Sequence, residues 1–348
     1  MKKKLLLFWM VTLVLASCTK EPVQPDIPTF QKPGVFVVNE GNFTTGNASL
    51  TWYHSDSVFK DAFYAINKVP LGDVANYMTV HDNKGYIVIN NSGVVYVIDI
   101  NTGAFLDKIS GLSSPREILI VDNNKAWVSD LFSKFISVVD LNTYKVVNTI
   151  NLHGRTSESL VRIGDKVFVN NWSRLNQIPE NNMVLVLDVG TEKIVDSVQV
   201  SLEPNSMVAD ASNKLWVLCS GGYNNIEIPA LYRIDPVNDS VEEKLVFGQK
   251  NMNPFALNIN GAGTRLWFLN NGICKVDIDS HKIPTEPLIP QGTHNFYSLG
   301  VRPDIESLYA SDALDYVRNG TVYYYDSTGN LSGEFEAGII PGSFCFIY

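Results

Sequence analysis

Cysteine, histidine and positive charge are all scarce in this chain, and each scarcity argues against a class of function. Of 348 residues four are cysteine. Cys18 closes the one long apolar run, while Cys219, Cys274 and Cys345 stand far apart with no C-x-x-C spacing, so neither a zinc ribbon nor a disulfide scaffold is encoded. Three is an odd number, so at least one of these thiols stays unpaired, and buried free thiols are the expected state of all three. The five histidines, His54, His81, His153, His281 and His294, lie at no metal-ligand spacing from one another. No H-E-x-x-H, G-x-S-x-G or paired-carboxylate signature accompanies them. Lys and Arg together number 27 against 36 acids, a formal net charge of −9. Phosphate binding needs a basic footprint, so no nucleic-acid partner is expected. Helical periodicity is missing from residues 115–152 as well.

Short β-rich runs fill the space instead. Residues 115–152, PREILIVDNNKAWVSDLFSKFISVVDLNTYKVVNTINL, read as four strands, ILIV, KAWVSD, ISVVDL and KVVNTI, separated by polar joints. The second of them recurs as GVFVVNEG, KGYIVINN, KVFVNN, KLWVLCS, RLWFLNN and SLYASD, seven copies in all, at spacings of 50, 41, 41, 48, 51 and 42 residues. The third strand closes on Asp99, Asp140, Asp188, Asp235, Asp277 and Asp326, with His54 in the first unit. An aspartate at that place accepts hydrogen bonds from amides two or three residues on, so these acids are assigned to turns. A four-stranded unit of about 40 residues cannot bury both faces alone and must stack on its copies. The fold class expected is therefore all-β, a seven-bladed β-propeller. The first unit lacks an innermost strand and the chain ends in an unmatched PGSFCFIY, so residues 343–348 are expected to supply that strand and close the ring.

Residues 1–17 carry Lys2, Lys3 and Lys4 and an apolar run from Leu5 to Leu15, too short to span a bilayer but suited to a signal peptide. The sequence up to Cys18 resembles a bacterial lipobox, which implies cleavage before Cys18 and acylation of its thiol. Residues 18–33 form a proline-rich tether, and residues 34–348 the propeller. Loss of three lysines takes the mature charge from −9 to −12. No aspartate follows Cys18, which favours an outer-membrane lipoprotein, at the cell surface or on the periplasmic face.

Function is sought where the units differ. From the second strand to the third-strand anchor the distance is 19, 21, 20 and 18 residues in units one, four, five and seven, against 14, 14 and 11 elsewhere. The joint between third and fourth strands reads as short in every unit, so one face should be crowded. Its loops and incoming joints offer Asn39, Asn42, Phe43, Asn76, Tyr77, Asn91, Arg116, Phe132, Glu158, Asn171, Trp172, Asn205, Tyr223, Phe255, His294, Tyr297, Asp312 and Tyr316 as ligand-binding candidates. Amides, hydroxyls and rigid aromatic faces suit a neutral polar ligand with flat apolar parts. Asparagine also serves turns for conformational reasons alone. Glu158, with Asp130 or Asp312 beside it, is placed to act as a general base, yet such acids also bind backbone amides of neighbouring units. No catalytic or metal site is assigned, and His294, the one histidine expected at the mouth, is in reach of a metal centre carried by a ligand but is more commonly an exposed loop histidine.

The P-x-x-hydrophobic start and V-x-V-I-D third strand of the repeat resemble those of YncE-like, or YVTN-type, propellers, over roughly residues 34–348. With the lipobox, tether, VNEGNF opening and TSESLV segment, the chain is similar to Bacteroidetes surface lipoproteins of that class, including the BtuG-like proteins. That resemblance implies a module that captures cobalamin or another corrinoid for an outer-membrane transporter; a monomeric domain with no enzyme activity and no cofactor of its own is expected. A glycan- or haem-binding propeller or a protein-interaction scaffold is the alternative, and a propeller lyase or hydrolase comes third. The resemblance assigns no individual contact.

Overall fold

Runs such as AWV after Lys125 and LWF after Arg265 are apolar at consecutive positions because each becomes the second strand of a blade, covered on both faces by neighbouring blades. The computed structural model describes Phe30 and residues 33–171 and 181–348. The first three strands are β1 (Gly34–Asn39), β2 (Ser49–His54) and β3 (Ser57–Phe59), followed by one short helix, α1 (Ala62–Asn67). Blade two is β4 (Ala75–His81), β5 (Lys84–Ile89), β6 (Val94–Asp99) and β7 (Phe105–Ile109); blade three is β8 (Pro115–Asp122), β9 (Lys125–Asp130), β10 (Phe135–Asp140) and β11 (Lys145–Asn151). Blade four comprises β12 (Leu160–Ile163), β13 (Lys166–Val169), β14 (Met183–Asp188) and β15 (Lys193–Gln199), and blade five β16 (Pro204–Ala209), β17 (Leu215–Cys219), β18 (Ala230–Asp235) and β19 (Ser240–Val246). Blade six holds β20 (Phe255–Ile259), β21 (Arg265–Leu269), β22 (Gly272–Asp277) and β23 (Ile289–Pro290), and blade seven β24 (Phe296–Val301), β25 (Leu308–Asp312), β26 (Asn319–Tyr325) and β27 (Leu331–Ile339). The last strand, β28 (Pro341–Ile347), pairs antiparallel with β1, so the first blade runs β28-β1-β2-β3. The ring is closed by the C-terminus, as the unmatched ends of the sequence require.

Successive inner strands pack on one another around the channel, β28 on β4, β4 on β8, and so on to β24 on β28. Seven apolar clusters fill the seven blade interfaces, each anchored by wholly buried side chains such as Trp127, Trp216 and Trp267. Phe30, placed in the tether by the sequence reading, belongs to this packing. It is buried against Phe36 and Trp52, and its amide donates to the Asn101 carbonyl at 3.0 Å. Phe30, four residues ahead of Gly34, thus adds to the packing of blade one.

The turn aspartates behave as expected at Asp99, Asp140, Asp188, Asp235 and Asp326, each accepting from amides or side chains two to four residues on. Asp277 differs and pairs with Arg265 at 2.8 Å. The joint between third and fourth strands is not short everywhere, because residues 278–288 separate β22 from β23. Blade six therefore carries a long loop on the face opposite the crowded one. Cys219, Cys274 and Cys345 are buried free thiols in three different interfaces, and burial pushes the Cys274 and Cys345 thiols up to about 12. Cys18 and the signal and tether residues up to 29 lie outside the described residues. Among the described residues no helix is long and apolar enough to cross a membrane.

Candidate functional site

The β1–β2 joint (40–48), the β17–β18 joint (220–229) and the β25–β26 joint (313–318) rise at one end of the ring, where the inner strands begin. The β13–β14 joint also opens there; its residues 172–180, including Trp172, lie outside the described residues. Arg116, Tyr77, Asn205 and Tyr297 sit among the first three residues of their inner strands, one step inside the joints where the sequence placed them.

Several asparagines at this end prove to be structural. The Asn76 side-chain amide donates to the Arg116 carbonyl at 3.1 Å, Asn205 to the Pro254 carbonyl at 2.7 Å and Asn258 to the Leu299 carbonyl at 2.9 Å. Asn90 and Asn170 do the same toward Pro115 and Pro204. Blade three uses the Ser129 hydroxyl on the Glu158 carbonyl, and blade seven uses Ser298 and Ser311 on the Pro341 carbonyl. Each side chain fastens its blade to the start of the next inner strand, satisfying a carbonyl that the channel edge of the sheet leaves unpaired. Asn39 is wholly buried, held by Ser49, Thr51 and the Gly338 amide, and Asn171 is buried against Thr156. Asn39, Asn76 and Asn205 thus each spend at least one amide N–H on a protein partner. Asn91 reaches Asp73 at 2.6 Å, and Asn42 donates to the Tyr316 carbonyl at 2.6 Å.

The aromatics divide in two. Phe43, Phe132, Tyr223 and Tyr316 are exposed, Phe43 at 67% and Tyr223 at 88%, and stand on blades one, three, five and seven around the opening. Phe255 instead packs into the core between blades six and seven. Tyr316 meets Tyr297 edge to face at 5.9 Å. His294 is held by Asp312 at 3.2 Å and packs on Phe296 and Tyr323, so it is not a free loop histidine. Asp312 also accepts from the Asn295 and Leu314 amides, and Asp130 accepts from the amides of Ser113, Ser114, Phe132 and Ser133. Both acids are consumed by backbone, which removes them as partners for a general base.

Beneath the rim lies a charged floor. Arg116 Nε donates to Glu158 at 2.6 Å, with the two side chains 19% and 5% exposed. Tyr297 Oη donates to both carboxylate oxygens of Glu40 at 3.1 Å. Burial pushes the Glu40 carboxyl up, while the Arg116 charge and the Tyr297 hydrogen bond pull it down. Burial and the Glu40 charge together raise Tyr297. Glu117 accepts from the Leu160 amide at 3.0 Å, and burial carries its carboxyl up to about 7, helped by the Glu158 charge and opposed by that amide. Tyr77 stands over Glu117 and is raised by burial first and by that charge second. Glu40 and Glu117 escaped the sequence reading. Their only signal was an acid immediately beside a blade-forming strand, Glu40 after VVN and Glu117 beside Arg116. Among the described residues no group of three or more His, Cys, Asp or Glu is placed to hold a metal ion.

Residues 33–334 match the family described as "Domain of unknown function (DUF5074)". No curated protein matches the chain. Among solved structures it is similar to a quinonprotein alcohol dehydrogenase-like protein of Bacteroides thetaiotaomicron VPI-5482, with TM-score 0.70 and 15% identity over 91% of this chain and 78% of that one. Hydrazine synthase of Kuenenia stuttgartiensis gives 0.62 and 15% over 78% and 89%, and the computationally designed Ika8 protein 0.56 and 14% over 91% and 94%. At such identity these likenesses show the propeller fold alone.

Proposed function

The chain belongs to the family described as a domain of unknown function, DUF5074, and from that footing we propose that it is a binding module which captures a nutrient ligand across the channel mouth, with a corrinoid as the ligand class. The observation that carries this reading is the division of the mouth into two tiers: exposed aromatic side chains on four blades around the opening, and a hydrogen-bonding floor of Glu40, Tyr77, Arg116, Glu158 and Tyr297 below. Wide, flat, amide-bearing ligands fit such a division, since their apolar edges meet the rim and their polar groups the floor. A ring of seven interlocked blades holds the loops in place before the ligand arrives, so little ordering entropy is lost on binding. The resemblance to YncE-like and BtuG-like lipoproteins supports the same reading, as does the lipobox before Cys18, which points to an outer-membrane anchor beside a transporter that takes the ligand on. Glu158 is salt-bridged to Arg116, which favours a positioning role for it over that of a general base.

Calorimetric titration of the full-length protein in detergent with cyanocobalamin tests the proposal. A single-site isotherm and red colour retained through desalting are expected. Heat and absorbance indistinguishable from buffer at micromolar protein would sink the corrinoid reading and leave a glycan, haem or protein partner.

A further inference from the structure

Among the described residues the floor contains one cation, Arg116, beside the acids Glu40, Glu117 and Glu158, and that cation is only partly used. Among the described residues the sole hydrogen bond made by the Arg116 guanidinium is from Nε to Glu158. Its two Nη groups carry none, although the side chain is largely enclosed by protein and its charge is felt at both Glu40 and Tyr297. The Nη groups are not sealed from water, since the Arg116 side chain keeps 19% of its surface exposed, and they are left with donors that a ligand acceptor can take. Opposite in chemistry is Glu40, whose carboxylate among the described residues accepts side-chain hydrogen bonds from the Tyr297 hydroxyl alone and retains lone pairs for a donor. Gly342 makes the room for it: a Cβ there would lie 2.5 Å from Glu40 Oε1.

We propose that the channel floor is a subsite for a primary carboxamide, whose carbonyl oxygen takes the Arg116 Nη groups and whose NH2 donates to Glu40. The proposal deepens the reading of the mouth as a binding face and rests on it. The charges select among neighbouring chemistries. A carboxylate or phosphate would pair with Arg116 but bring a second negative charge up to Glu40 and Glu158, at a cost that grows in a poorly solvated channel. An ammonium would satisfy Glu40 but meet Arg116, and it offers no acceptor. Of these groups only a carboxamide presents both acceptor and donor without net charge, and a site built to pair both rejects a group that supplies only one.

Benzamide, benzoate and benzylamine share one ring and differ in this group alone. Ligand-observed NMR titration of the full-length protein at about millimolar probe, the range expected for so few heavy atoms, should show benzamide binding at least about tenfold tighter than either of the others, the ratio that roughly one unfavourable charge contact produces. In Glu40→Gln, whose side chain keeps its shape and loses its charge, benzoate should gain and the preference should shrink to within about threefold. Arg116→Gln should lose benzamide; should that variant fail to keep the wild-type melting transition, Glu40→Gln carries the test alone. Benzoate or benzylamine binding as tightly as benzamide, an unchanged preference in Glu40→Gln, or no binding of any of the three overturns the subsite. Benzamide selectivity without cyanocobalamin binding would keep the subsite and remove the corrinoid reading, so the two fail separately.

Discussion

Glu117 shows at the scale of one residue how the channel stores charge. Its carboxyl is surrounded by protein, faces Tyr77, Arg116 and Glu158, and titrates near 7 in the fold instead of near 4.5. An acid whose folded value is raised binds its proton more firmly folded than unfolded. Its contribution is therefore fully present at low pH, and stability is lost as pH climbs from about 4.5 through 7. Glu40 is shifted in the same direction, whereas Asp99, Asp140 and Asp188 are held low, and the stability they add is lost only as pH falls into the acid range below that window. Thermal melts between pH 5 and pH 7 should show the transition falling by on the order of 2 °C per pH unit, and Glu117→Gln should flatten that slope. An identical slope in the variant would mean that Glu117 is ionised throughout.

Among elements, the joints between blades carry the hydrogen bonds that distinguish this ring from a stack of sheets. Asn76, Asn205 and Asn258 each cap a carbonyl at or beside the next inner strand. Replacing any one by Ala removes one partly buried hydrogen bond, about 1 kcal/mol or 1–2 °C for a domain of this size. The three lie in separate interfaces, so their effects should add. Ligand affinity should stay at the wild-type value, and a variant that weakens binding without touching the melting transition would return that asparagine to the ligand. The blades were legible in the sequence because strands covered on both faces carry unbroken apolar runs, as AWV after Lys125 and LWF after Arg265, and because Asp99 or Asp188 turns the chain through purely local bonds. The asparagine bonds were not legible, since the accepting carbonyls lie 34, 40 or 49 residues away in a neighbouring blade. Glu40 escaped for the same reason, its Tyr297 partner being 257 residues distant.

The whole molecule depends on one strand that crosses from the end of the chain to its beginning. Without β28, β1 loses its ladder partner from Gly34 to Asn39, and Phe344 and Phe346 leave the interface between blades seven and one. Cys345 leaves the next interface, and β1 is left as an open edge inside the channel. Truncation after Ile340 should give insoluble protein or a melting transition lowered by more than about 10 °C, since several apolar side chains and a full ladder go together. A damaged core would do the same, so the decisive variant moves the strand instead of deleting it. Ile347 pairs with Gly34 in an antiparallel register, so residues 341–347 placed ahead of Gly34 through a two-residue Asn-Gly turn form an ordinary hairpin with β1. The insertion displaces residues 1–33 and with them Phe30, whose burial against Trp52 then has to be forgone; the proper reference is a chain beginning at residue 33 with its native C-terminus. The rearranged chain, ending at Ile339, should melt within a few degrees of that reference, because the ring needs β28 in place and not its covalent link to β27. If it melts like the truncation, the link through Ile340 is itself required, and closure by strand pairing alone is wrong.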